Sequence, residues 1–399
     1  MVKRKLLFIL DQFNIGGPQK SLLGLFENID TDRFDVFVTS IKDEGILKNY
    51  LPQFVNIIEC PIDITACLMP SHNTLYYLHW LFFHGKYAMF FSFFRNIIMN
   101  KVFHENMNVL RQKMWVRYNS RLSKIIGEYD AVFAYGAGLT GYIAIDSVSS
   151  KNKYYRIAND YRIVGLDKTI EEMYFKRMNG FISVSKKCGD IFKEEFPFVK
   201  DIEVFYNFIP VHLYSNLKNI GLHCDFPKNC IKIFTTCRID KLKGFEYIIE
   251  TAKILNEQKI NYCWYIIGDG PNRKEYEEKC KLEGLNNIQY LGFLINPSEV
   301  FQNCQIMVHP SISEGKSNAV DEAKYYGIPV IATRYPTVND QIIDEVTGLI
   351  SEYDSCDIAN KIIKLINDKE LYKTIVKNTY HLADADKKIA NDMLEVMAD

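Results

Sequence analysis

The chain has 399 residues, of which 48% are hydrophobic and 24% charged, with a formal net charge of −1. That length points to two domains rather than one, and near-neutral charge gives no overall field for a nucleic-acid partner. The ten cysteines are scattered and none forms a CxxC pair, which argues against a zinc site.

Several cysteines, such as Cys237 in IKIFTTC and Cys263 in NYCWYIIG, stand in apolar runs and read as small core residues of a reducing compartment. The N-terminal MVKRKLLFILDQFN has the look of a signal peptide. Its apolar run is only LLFIL, with Asp11 next, which suits a buried strand and a cytoplasmic protein.

In chain order, KLLFIL predicts the first strand, Gly16-Gly17 a turn, and a helix follows from about Lys20. FDVFVTS is the second strand. Later strands are AVFAYG (131–136), KYYRIA (153–158) and GFISVS (180–185). The second half alternates more plainly. IKIFTTC (231–237) precedes Phe245, Ile248, Ile249, Ala252 and Leu255 at helical spacing. CWYIIG (263–268), a helix around 272–283, IQYLGF, a helix around 297–303, QIMVHP (305–310), another helix and PVIAT complete it. Strands alternating with helices predict parallel βαβ units and doubly wound α/β sheets.

The expected domains are 1–207 and 208–380, with the boundary in FYNFIPVH (205–212). Helices after about 357 either cap the second domain or return to the first. The last, 381–399, is read as packing back on the first.

The segment 72–126 is biased. Ten aromatics lie between Tyr76 and Phe94, and eight Lys/Arg against the single acid Glu105 lie between Lys86 and Lys124. Lys86 and Arg95 interrupt the apolar run, so it should not span a bilayer. Aromatics beside a basic face suit a helix lying in an anionic membrane interface. The alternative is a helical hairpin with its aromatics inside the domain.

Four stretches carry candidate chemistry. In LDQFNIGGPQKS (10–21), a strand ends, Gly16 and Gly17 turn the chain and a helix starts. That arrangement favours close approach of an anion, although a plain βα turn fits equally. In CRIDKLKGFEY (237–247), Arg238 follows a strand and Lys243 precedes a helix. Both could converge on a diphosphate at the carboxyl end of a parallel sheet, or be two solvated cations. In IIGDGPNRKEYE (266–277), Gly268 and Gly270 form a turn with room for a ligand. In SISEGKSNAVDEAKYYGIPVIAT (311–333), Glu314 lies in a loop and Glu322 on the next helix. Eight helical steps would separate them by about 12 Å, whereas hydrolytic carboxylate pairs stand roughly 5–9.5 Å apart. The spacing suits two grips on one elongated ligand. Lys316, Ser317 and Asn318 would open the helix and offer backbone N–H groups to phosphate.

At these residues the chain resembles the retaining glycosyltransferases of the GT-B fold, family 4. Glu314 and Glu322 match the E-x7-E motif, with a GxPVIA strand after it, and CRIDKLKGF matches the GR…KG element. IIGDGP, YLGF, GGPQKS and VFYNFI around Asn207 fall where the family has similar pieces. The EGKS…DEAK flavour resembles bacterial enzymes of capsule, exopolysaccharide and lipopolysaccharide assembly.

The resemblance implies two Rossmann-like domains facing a central cleft, and a hexosyltransferase acting from a UDP- or GDP-sugar onto a glycan or lipid-linked acceptor. It assigns Arg238 and Lys243 to the donor diphosphate, Glu322 to the ribose hydroxyls and Glu314 to the donor sugar. The amides of Lys316, Ser317 and Asn318 would cover sugar and phosphate. Gly16 and Gly17 would close from the first domain, Gly268 and Gly270 would line the donor, and the base would pack near Leu294. No metal and no cofactor is implied, since cations and a helix dipole neutralise the leaving group.

One departure stands out. Many relatives carry a His before Asn-Asp in the strand matching YYRIANDY; here it is Ala158, then Asn159 and Asp160. Asn159 and Asp160 are the candidates on the acceptor and sugar side. Ile239-Asp240 after Arg238 is a minor departure. Two other readings remain at this level. One is a non-catalytic sugar-nucleotide-binding scaffold of the same pathway. The other is a GT-B epimerase or phosphorylase-like enzyme, for which no cofactor-anchoring lysine site is evident. The expected place is the cytoplasm, with 72–126 on the inner face of the plasma membrane.

Overall fold

A computed structural model describes residues 2–68, 73–216, 224–379 and 387–399. The first position of the segment 72–126 and residues 381–386 of the terminal segment lie outside the described residues. The chain divides into two compact units, Met1–Tyr206 with Ala385–Asp399, and Asn207–Asp384.

Unit 1 holds strands β1 (Arg4–Gln12), β2 (Phe34–Lys42), β3 (Asn56–Ile57), β4 (Glu128–Ala134), β5 (Ser149–Ile157), β6 (Gly180–Ser183) and β7 (Glu203–Val204). They form one parallel sheet in the order β3-β2-β1-β4-β5-β6-β7. The run Leu6–Leu10 is buried along its whole length, as a strand covered by helices on both faces must be. Phe8 stacks on Phe133 of β4 with ring centroids 5.0 Å apart.

The first helix is Gly17–Asn28, starting earlier than the expected Lys20. Pro18 lies in its first turn, where the missing N–H costs nothing and the fixed φ already suits a helix. Strands β3 and β7 are two residues each, too short to show a period in sequence.

Unit 2 holds β8 (Ile231–Thr236), β9 (Tyr262–Ile267), β10 (Ile288–Gly292), β11 (Ile306–His309), β12 (Val330–Thr333) and β13 (Leu349–Ser351). Its parallel sheet runs β10-β9-β8-β11-β12-β13. One core cluster includes Ile233, Trp264 and Ile306, and a second includes Phe234, Tyr265 and Met307. Neighbouring strand residues thus feed the two different cores, as alternation along a strand requires.

The biased segment folds as three helices, Thr74–Phe83, Tyr87–Phe103 and Met107–Tyr118. Part of the segment packs inside the unit, as the second sequence reading expects. Leu81, Met89, Phe93, Leu110, Met114 and Trp115 join the unit 1 core. Tyr87, Phe91, Phe94, Ile98 and Val102 recur every three or four residues on one helix and are all exposed. Among the described residues, no helix is long and apolar enough to cross a membrane.

The chain's last helix, Lys387–Ala398, belongs to unit 1 and packs on β1 and β4. Arg33 pairs with Asp392 at 3.0 Å and also with Glu395. The Asn391 side chain accepts from the Asp30 N–H at 2.7 Å and donates to the Asn28 carbonyl at 3.1 Å. Leu394 is buried beneath. Truncating it to Ala should therefore destabilise unit 1 by about 2–4 kcal/mol, the usual loss for a buried leucine. A urea titration followed by amide exchange of β1 measures this; unchanged β1 protection would show that the helix does not support the sheet.

Candidate functional site

The unit 2 residues singled out in the sequence gather at the carboxyl ends of β8 and β11. These strands are neighbours although the chain reaches them far apart. Helical connections leave to opposite sides there, and the loops separate to form a crevice.

After β8 the chain passes Arg238 and makes a tight turn, Lys241–Lys243. Asp240 caps that turn by accepting from the Leu242 N–H at 3.0 Å. Gly244 follows at φ +67°, and a Cβ there would stand 1.9 Å from the Pro310 carbonyl oxygen. Only glycine permits this approach. It brings the loop after β11 against the loop after β8, where the Ile312 N–H donates to the Leu242 carbonyl at 2.8 Å.

The contact delivers Lys243 to Glu314. Lys243 Nζ lies 2.6 Å from Glu314 Oε1. His309 Nε2, at the end of β11, is 3.0 Å from the same oxygen, and Ser311 Oγ donates to it at 2.8 Å. The Glu314 carbonyl accepts from Thr337 Oγ1 at 2.9 Å. Side-chain exposure is 19% for Lys243 and 14% for Glu314. Burial by itself would push the Glu314 carboxyl up, but Lys243 and His309 outweigh it and hold it far below the usual carboxylate range. Burial would likewise lower Lys243, and Glu314 reverses that. Glu314 is thus a fixed anion at neutral pH and is unsuited to general-acid work. The three donors all take Oε1.

Arg238 differs. Its side chain is 71% exposed, with Asp240 Oδ2 3.6 Å from Nε. It is available to turn onto a ligand.

The EGKSN loop is held from within. The Lys316 side chain is fully buried against Asp321, Nζ to Oδ2 3.2 Å. Gln341 clamps the helix start by accepting from the Ser317 N–H and donating to the Ser317 carbonyl, both at 2.8 Å. The Ser317 amide, expected to face phosphate, is therefore occupied by Gln341. Ser317 Oγ caps the helix Asn318–Tyr325 by accepting from the Val320 N–H at 3.4 Å. Asn318 accepts from Asn207 Nδ2 at 2.5 Å. Glu322 is buried one turn on and accepts from the Tyr214 hydroxyl at 2.6 Å.

The IIGDGP turn serves the chain itself. A Cβ on Gly268 would meet the Cys237 carbonyl at 1.9 Å, and one on Gly270 the Ile239 carbonyl at 2.2 Å. These glycines let the turn lie against the segment 237–239, with the Ile239 N–H donating to the Asp269 carbonyl at 3.0 Å. The space expected for a ligand beside these two α-carbons is filled by backbone. Leu294 packs on the second unit 2 core.

In unit 1, Gly16 caps the first helix in extended conformation and Gly17 opens it. Ala158 packs against the core, and Asn159 is exposed. Asp160 is buried and bound by its neighbour: Arg162 donates from Nε at 2.8 Å and from a terminal nitrogen at 2.5 Å. These bonds depress its carboxyl pKa.

Sequence reasoning missed His309, Ser311, Thr337, Gln341 and Tyr214. Only His309 had a visible signal, a polar residue closing the apolar strand QIMVH.

Residues 225–382 match the family model described as Glycosyl transferases group 1. Among curated relatives, the capsular polysaccharide biosynthesis glycosyltransferase CapM of Staphylococcus aureus is 32% identical over 144 residues, 35% of this chain and 38% of CapM. An α-1,4-N-acetyl-D-galactosaminyltransferase of Campylobacter jejuni is 27% identical over 203 residues, 49% of this chain and 53% of that one. The chain spans about half the length of the curated relatives it matches, or less. In structure it is similar to Anabaena HepE, solved with UDP-glucose, at a TM-score of 0.68 and 18% identity over 98% of both chains. That likeness shows the fold, two parallel-sheet α/β domains of the GT-B type.

Because Glu314 is held ionised, its pairing stabilises unit 2 above the ordinary carboxylate value of 4.5 and fades as pH falls below it. Glu314→Gln leaves Lys243 enclosed without its counter-ion, so unit 2 should lose about 3 kcal/mol at pH 7. The gap to wild type should narrow in acid. Urea titrations at pH 7 and pH 3 check this, and equal differences at both would contradict the ion-pair account.

Proposed function

We propose that this chain, whose residues 225–382 form a Glycosyl transferases group 1 domain, moves a sugar from a nucleotide-sugar donor to a glycan or lipid-linked acceptor in bacterial surface-polysaccharide assembly. One observation carries the reading. At the carboxyl ends of the neighbouring strands β8 and β11, an exposed arginine follows one strand, and a carboxylate that three donors fix through a single oxygen follows the other.

Arg238 forks onto the donor diphosphate, and Lys243 adds positive charge from the turn below. Glu314 Oε2 accepts a hydroxyl of the donor sugar, since Lys243, His309 and Ser311 all occupy Oε1. Glu322 accepts from ribose hydroxyls, in place of or beside Tyr214. Asn318 and the helix start near it face the phosphates. The base packs by Leu294.

The reaction breaks the bond between the anomeric carbon and the leaving phosphate oxygen. The acceptor oxygen bonds that carbon on the same face and gives its proton to the departing phosphate. Configuration is retained. The protein supplies positioning and charge, and its cations neutralise the nucleotide without a metal ion. A tightly binding but non-catalytic chain is the second reading, favoured by Ala158 and by the commitment of Asp160 to Arg162. Release of free UDP or GDP during turnover separates the two.

The donor grip is read by thermal shift. A saturating donor at 100 times its Kd adds about 2.7 kcal/mol by mass action. We expect a UDP- or GDP-sugar to raise the melting temperature of wild type and to leave Glu322→Ala and Arg238→Ala unshifted. If no nucleotide sugar moves the wild-type transition, the donor reading is lost.

Unit 1 takes the acceptor in this reading, and its exposed helix face rests on an anionic membrane. Phe83 is 68% and Phe91 65% exposed, with Arg95 and Lys101 exposed nearby. Each phenylalanine entering the interface would contribute roughly 1.5–3 kcal/mol. Phe91→Glu with Phe94→Glu should therefore reduce co-sedimentation with phosphatidylglycerol vesicles at least tenfold. Equal pelleting of wild type and variant would remove the membrane from the proposal.

A further inference from the structure

Unit 1 contains a cavity of about 320 Å³ that the donor machinery does not use. It opens at the carboxyl ends of β1 and β2, beside the loop that follows β4. In this sheet β1 lies between β2 and β4, so the cavity sits at the switch point of unit 1. That is where an open parallel sheet admits a ligand, and the volume falls at the lower end for small-molecule sites.

Among the described residues, three charged side chains line it: Asp11 from the end of β1, Lys42 from the end of β2, and Arg111 from the helix Met107–Tyr118. Asp11 is coupled electrostatically to both cations. A Cβ at position 136 would stand 2.6 Å from Asp11 Oδ2, so Gly136 is what lets the carboxyl occupy this corner. Two cations against one carboxyl leave the cavity with an excess of positive charge. Burial pushes the Asp11 carboxyl up to about 6 despite Lys42 and Arg111, which further weakens the negative charge that it places on the wall. The remaining wall is largely apolar, with Ile41, Leu139, Val164 and Leu166. A site with clustered cations on one side and aliphatic side chains on the other matches a phosphate group attached to an apolar chain.

We propose that this cavity binds the phosphate or diphosphate group of the acceptor, with Lys42 and Arg111 holding its oxygens. Naming the ligand an acceptor rests on the transferase reading; the anion site itself does not.

The test is calorimetric titration of the full chain with inorganic pyrophosphate, farnesyl diphosphate and farnesol. Saturating UDP covers the unit 2 cations, and an Arg238→Ala background removes the exposed one. Pyrophosphate should still bind under either condition. Lys42→Gln and Arg111→Gln should each weaken it about tenfold, the effect of losing one charge-assisted hydrogen bond. Lys42 lies partly exposed at a strand end, so its variant keeps the test open if Arg111→Gln fails to fold. Tighter binding of farnesyl diphosphate than of pyrophosphate identifies a lipid-borne phosphate, and equal binding identifies a free one. No pyrophosphate binding, or binding that both substitutions leave unchanged, overturns the proposal. Failure of UDP to bind would sink the donor reading alone, because the Arg238→Ala arm still reports on this cavity.

Discussion

Parallel strands impose one constraint from which both candidate sites follow. Each strand must be joined to the next by a crossover over a sheet face. Where successive crossovers depart in opposite directions, the loops at the carboxyl ends part and no helix fills the gap. Unit 1 has that gap between β1 and β4, and unit 2 between β8 and β11. The charged cavity containing Asp11, Lys42 and Arg111 occupies the first. The Lys243–Glu314–His309 cluster occupies the second.

Within unit 2 the crevice is built by backbone before it is decorated by side chains. Gly244 against the Pro310 carbonyl, and Gly268 and Gly270 against the segment 237–239, stitch neighbouring loops at distances that no Cβ would allow. Gln341, Lys316 and Asp321 then lock the EGKSN loop from its buried side. Arg238 is left exposed beside this rigid frame. Such a division suits a group that must move onto a ligand while the carboxylate of the neighbouring loop stays fixed.

The alternation of strands and helices was readable because βαβ units repeat a simple pattern of apolar runs and amphipathic helices. The Glu314–Glu322 pair and the Arg238–Lys243 pair were readable because each lies next to a strand end within one short stretch. The backbone contacts of Gly268 and Gly270 were not readable, since a glycine turn has the same sequence whether ligand or backbone fills the space beside its α-carbons. The biased helical segment showed its composition but not its division into a buried and an exposed face. That division depends on which helical positions meet the sheet.

Sequence alone determined two α/β units, the strand-end positions of the candidate residues, and the aromatic, basic character of 72–126. All of these rest on local periodicity and near-neighbour spacing. Tertiary structure decided that Lys243 and Glu314, 71 residues apart, share a proton-donating contact, and that Gln341 takes the Ser317 amide. It also decided that the last helix joins the first unit and that Asp11 shares a cavity with Lys42 and Arg111. Those pairings are set by sheet order. Strand order brings together loops that are distant along the chain, and no local pattern encodes which loops will meet.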